Sequence, residues 1–121
     1  MKLNLAAAAF IVAALSLFGA AISSATEQQE HVAKALTYAQ TAVNEGQKKG
    51  PAIAVEQNAK QALEHAKQAE HIKRDPHITE AETHLNQAID TAAAEQADIA
   101  TKHVQEAIRH LQMAYQGTRG K

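Results

Sequence analysis

The chain has 121 residues, enough for one domain, with 12 Lys and Arg against 13 Asp and Glu, seven His, and neither Cys nor Trp. The lack of Cys excludes a disulfide framework, zinc-thiolate and iron–sulfur sites, and thiol catalysis. The near-neutral charge leaves no electrostatic footprint for nucleic acid. Both Phe residues lie early, at Phe10 and Phe18, and only Tyr38 and Tyr115 follow. A core without large aromatics is built from Ala, Leu, Ile and Val, which suits closely packed helices.

Residues 1–25 read as a secretory signal peptide. Lys2 provides a positive start, residues 5–17 are apolar, and Ser23-Ser24-Ala25 is a small-residue cleavage site. The competing reading is a retained anchor. It needs about 20 apolar residues, and the run at 6–22 is interrupted by Ser16 and Gly19. The expectation is cleavage near Ala25, export to the periplasm of a Gram-negative bacterium, and a mature chain, 26–121, without membrane attachment. All seven His fall in that mature part.

The first helix is expected over 27–45, where Val32, Ala35, Leu36, Ala39, Ala42 and Val43 recur at spacings of three and four. Gly46 and Gly50 bracket a Gln-Lys-Lys loop that ends it. Pro51 suits the first turn of a second helix running to about Lys73. Asp75-Pro76 marks the third start, with Asp75 as N-cap and Pro76 just inside. The break between the third and fourth helices is faint, because residues 91–96 contain neither Gly nor Pro. It is placed there because the apolar phase restarts and Asp98 can cap a new helix. Four helices of similar length with short connections predict an all-α, up-down four-helix bundle.

The helices share one heptad phase. With Val32, Ala39, Ala59, Ala66, Ile78, Leu85, Val104 and Leu111 at position a, every d position is Ala, from Ala35 to Ala114. Leu36, Val43, Leu63, Ile89, Ile108 and Tyr115 fall at e and widen the apolar stripe. His31, His65, His77, His84, His103 and His110 all fall at g, at the flank of this Ala-rich core, and Tyr38 joins them. Only His71 departs.

The form H-x-x-E-x-x-x-H occurs twice, as His77/Glu80/His84 and His103/Glu106/His110. Residues three and four apart share a helix face, so each set is one stripe. Neutral imidazole with carboxylate suits Cu(II), Zn(II) and Ni(II), and without thiolates the affinity order favours Cu(II). Histidines seven apart on one helix are about 10.5 Å apart along the axis, so a strong site needs a second helix. Facing antiparallel stripes predict two stacked sites, His77/Glu80 with Glu106/His110 and Glu80/His84 with His103/Glu106.

The repeated His-Val-x-x-Ala pattern, the runs Glu64-His65-Ala66-Lys67 and Thr83-His84-Leu85-Asn86-Gln87-Ala88-Ile89, and above all the run from Ala100 to Leu111 carry a resemblance. The chain resembles the small metal-binding protein family (SmbP), periplasmic helical proteins rich in His-bearing heptads and associated with copper and other divalent metals. The resemblance implies metal binding at His65, His77, His84, His103 and His110. It leaves His71 unassigned and His31 without a second ligand on its own helix. Tyr38, Asn44, Pro51, Gln57 and Thr91 stand where further repeat histidines would be expected. That implies a lower metal capacity, with the sites of the N-terminal half lost.

An enzyme is not expected, since there is no H-E-x-x-H pair and no nucleophile elbow. Haem is disfavoured without C-x-x-C-H. The alternative class is a metal-independent helical interaction or chaperone-like stress protein, with the histidines as solvated flank residues. A third reading is a bundle whose interface loosens as His protonates. The expected function is periplasmic binding, buffering or scavenging of divalent metal, copper foremost, with no protein partner specified.

Overall fold

The structure, a computed structural model, describes residues 23–119, so the expected leader lies outside the described residues up to position 22. Four helices fill the described part: α1 (Ser24–Gln47), α2 (Ala52–Ile72), α3 (Pro76–Ala93) and α4 (Ala97–Arg119). Each helix packs on the next in sequence and α4 closes on α1, with slight contact across the α2–α4 diagonal. This is the up-down four-helix bundle, and it puts the α1–α2 and α3–α4 interfaces on opposite edges. No helix among the described residues is long and apolar enough to cross a membrane.

The shared register explains the packing. Every a and every d position is fully buried. At e, Val43 and Leu63 are buried, while Leu36, Ile89, Ile108 and Tyr115 pack on the rim. The largest fully buried side chains are Ile78, Leu85, Leu111, Val32, Val55 and Val104. The rest of the core is chiefly Ala, so helix axes can approach closely.

The ends are tied by specific hydrogen bonds. Ser23 Oγ accepts from Thr26 N–H at 3.3 Å and caps α1, so the expected cleavage sequence forms the cap and first turn of this helix. Asp75 caps α3 by accepting from His77 N–H at 2.8 Å, and Pro76 occupies its first turn, both as expected. Gln28 is buried and donates through Nε2 to Ala69 O at 3.3 Å and Lys73 O at 2.6 Å, which satisfies carbonyls at the end of α2. Glu70 accepts from Asp75 N–H and Thr79 Oγ1, both at 2.9 Å, and braces the α2–α3 turn.

Three local expectations are corrected. α1 does not end at Gly46 but runs through it to Gln47, and Pro51 is the N-cap of α2, outside its first turn. Asp98 lies inside the first turn of α4, not before it, and meets Lys49 at 3.3 Å. The reason is the same at both hairpin turns: each ends in a two-bond Schellman closure. Gly50 N–H donates to Glu45 O at 2.9 Å and Lys49 N–H to Gly46 O at 3.2 Å. Gln96 N–H donates to Thr91 O and Glu95 N–H to Ala92 O, both at 2.9 Å. The left-handed position is held by Lys49 (φ 59°) and Glu95 (φ 64°). Glycine is usual there, which is why the α3–α4 break is faint in the sequence but real in the fold.

Gly46 serves a different purpose. It is buried, helical and so close to α4 that a Cβ would collide with Thr101 Oγ1. Gly46→Ala should therefore destabilise the protein by about 1–3 kcal/mol through overpacking, against a helix-propensity gain of about 1 kcal/mol. Glu95→Gly should stabilise it by about 1 kcal/mol, because the left-handed conformation carries no Cβ clash in Gly. Urea denaturation of the two variants checks both signs.

Candidate metal centre

The g positions of α3 and α4 face each other across the antiparallel interface. His77 stacks on His110 with centroids 5.9 Å apart, His110 on His84 at 5.6 Å, and His84 on His103 at 6.1 Å. The result is a zigzag of four imidazoles, alternating between the helices. Leu85 and Leu111, next in sequence to His84 and His110, are fully buried and hold the two backbones in register. His77 is fixed at its backbone by the Asp75 cap.

Glu80 lies one turn before His84 and joins the middle of the zigzag. One ligand atom each from Glu80, His84 and His110 fall within 4.8 Å of one another, the one group of three such ligands among the described residues. Glu80 is exposed and the two rings are half-buried. Nδ1 of both His84 and His110 is buried without a hydrogen-bond partner, which carries a desolvation cost that coordination through that atom would offset. The set holds two nitrogen donors and one carboxylate on two different helices, and leaves open positions for water. That composition fits a borderline divalent cation.

The remaining expected ligands fall elsewhere. His77 and His103 flank the three-ligand group as its outer rings. Glu106 is turned to Arg109, with Oε2 3.0 Å from Nη2 in an exposed i,i+3 ion pair, and is not part of the group of three. Of the ligands expected for the two stacked sites, the structure converges Glu80, His84 and His110. The His pairs meet, but the carboxylate at their centre is Glu80.

His65 lies on the opposite edge. Its Nδ1 is 3.5 Å from Nδ1 of His31 on α1, their centroids are 5.7 Å apart, and Tyr38 stacks on it at 5.6 Å with 9° between planes. Burial pushes the His65 imidazole below its usual pKa. The charges of His31 and Lys34 act in the same direction, against a hydrogen bond from Gln68 and the charge of Glu64. Sequence reasoning missed His31 as a partner, although its shared g phase with His65 was the available signal.

The α2–α3 face carries a separate acidic pair. Glu82 has Oε1 buried without a hydrogen-bond partner, and its carboxyl titrates above the usual glutamate range, first from burial and then from Glu70, with Lys67 opposing. His71 is exposed nearby and stacks on none of the other histidines. Because the folded-state pKa of Glu82 is raised, its ionisation cost is fully present above that pKa and is relieved as pH falls through it. Glu82→Gln should raise the melting temperature of the chelator-treated protein near neutral pH, with the difference closing towards about pH 4. Thermal melts followed by circular dichroism read this directly.

A family model described as small metal-binding protein matches residues 3–114, which takes in all four helices up to Ala114. No curated protein matches the sequence.

Proposed function

The chain belongs to the small metal-binding protein family, and from that premise we propose that it buffers or scavenges divalent copper in the periplasm, with Glu80, His84 and His110 as its principal ligands. The observation that carries this reading is the convergence of those three ligand atoms within 4.8 Å across the α3–α4 interface. Two imidazoles and a carboxylate favour Cu(II) over Zn(II) and Ni(II) by the affinity order for nitrogen and oxygen donors. Half-buried rings beside an exposed carboxylate leave the ion in contact with water. That suits reversible holding of a cargo better than a closed structural site.

Export follows from the leader at residues 1–25, with cleavage near Ala25. Cleavage there removes the Ser23 cap and leaves the free amine on Thr26. Freed of the leader, the helical domain would stay unattached to a membrane. The family supports a binding role, and the site supplies ligands for it.

Calorimetric titration of Cu(II) into the protein, and into a variant with His77, His84, His103 and His110 changed to Ala, tests the reading. Saturable binding whose tightest event the variant loses supports it, and no binding by the parent sinks it. Single variants separate the two carboxylates. Glu80→Gln should weaken the tightest event by about tenfold or more, whereas Glu106→Gln should change it by less than about twofold, because Glu106 faces Arg109.

A further inference from the structure

We infer that His31 and His65 form a second metal site on the α1–α2 edge, one that takes a single divalent, nitrogen-seeking cation through two imidazoles and no carboxylate. The inference rests on the metal-binding reading of the protein but not on the α3–α4 site. Two nitrogens bound to one ion at about 2.0–2.1 Å stand about 2.9 Å apart at a right angle and about 3.3 Å apart at a tetrahedral angle, reaching about 4.1 Å when opposed. The observed Nδ1–Nδ1 separation of 3.5 Å lies inside that span. It is long for a hydrogen bond between the rings, which favours about 2.7–3.2 Å. The two rings come from different helices. Their neighbours Val32 and Ala66 are fully buried, so the pair is held by the core and not by two mobile side chains.

The second support is an internal repeat of the helical hairpin. Adding 46 to α1 numbers carries His31, Lys34 and Tyr38 onto His77, Glu80 and His84, and the buried Val32 and Ala35 onto Ile78 and Ala81. Adding 45 to α2 numbers carries Asn58 and His65 onto His103 and His110. The one-residue difference lies in the hairpin turn, which leaves helix for four residues between Gln47 and Ala52 but for three between Ala93 and Ala97. Both turns close by the same pair of hydrogen bonds. His31–His65 is thus the counterpart of His77–His110, and the ring contact of Tyr38 on His65 matches that of His84 on His110.

The two edges differ in charge. Lys34 occupies the place that Glu80 holds on the other edge, and Tyr38 the place of His84. An ammonium where the other site has a carboxylate opposes a dication. The α1–α2 site is therefore the weaker of the two and fills second, with water completing the coordination.

The test starts from the variant in which His77, His84, His103 and His110 are all Ala, titrated with Cu(II) by calorimetry. It should retain one event weaker than the tightest event of the parent. Adding His31→Gln should abolish that event, with helicity by circular dichroism showing that the bundle persists. Adding Lys34→Glu instead should strengthen it by about tenfold or more, from the reversal of charge beside the ion. In the unmutated protein, ring-proton NMR signals of His31 and His65 should broaden only after those of His84 and His110. A four-His variant that binds nothing, while the parent binds, overturns the second site and leaves the metal reading intact. Binding that survives both His31→Gln and His65→Gln also overturns it, as does the absence of His31 and His65 broadening at any stoichiometry. A parent that binds no Cu(II) at all overturns the metal reading itself.

Discussion

The alanine layer at position d is the constraint on which the rest of this structure depends. Eight alanines, two on each helix and all fully buried, let neighbouring helices approach at the short end of the range of interaxial distances. Residues at g flank that layer. Above this small-residue layer, g side chains of antiparallel partners meet across the interface instead of extending separately into water. Ring centroids 5.6–6.1 Å apart along α3–α4 are a consequence of small residues beneath them. Larger residues at d would part the two stripes, and each histidine would become an ordinary solvated flank residue.

That economy of side-chain volume has an energetic counterpart. Among the described residues only six side chains larger than Ala are fully buried, so much of the apolar burial there comes from Ala and from the rim residues at e. An ion held by Glu80 and His84 on α3 and by His110 on α4 would link two helices and stabilise the folded state by mass action. Metal affinity and bundle stability would then be coupled. The same coupling explains why the ligand set can be open to solvent: the helices, and not a closed pocket, supply the preorganisation. The charged member of the site, Glu80, remains in water, so the desolvation cost of the site falls on the buried Nδ1 atoms of His84 and His110.

Much of this was legible in the sequence, because periodicity reports a side chain's face directly. The register placed every a and d residue correctly, and Asp75-Pro76 marked a boundary that the caps then used. Periodicity does not report which stripe lies opposite which. His31 therefore looked isolated on its own helix, although His65 stands 3.5 Å away on the next. Nor does it rank two carboxylates with identical spacing to their histidines. Glu80 and Glu106 differ because Arg109 stands three residues after Glu106 and takes it up, whereas Glu80 has no basic residue at the corresponding place in α3. The turn at Glu95 was faint for a related reason: its left-handed residue is not Gly, and only the hydrogen bonds to Thr91 and Ala92 reveal it.

The internal repeat gives these differences a direction. Two hairpins with the same turn geometry and the same buried positions carry different g and flanking residues on opposite edges of one bundle. One edge has four rings and a carboxylate. The other has two imidazoles, a phenol and an ammonium. Because the core is shared in pattern and the substitutions lie on its flank, the two edges can diverge in affinity without disturbing the packing that aligns them. If both proposed sites hold, a protein that binds ions at graded strength would follow from that arrangement. On the proposed assignment, the edge with Glu80 would fill at low metal, and the edge with Lys34 would add capacity as the concentration rises. Grading by flank charge requires no conformational change and no communication through the core, since the alanine layer serves both edges identically.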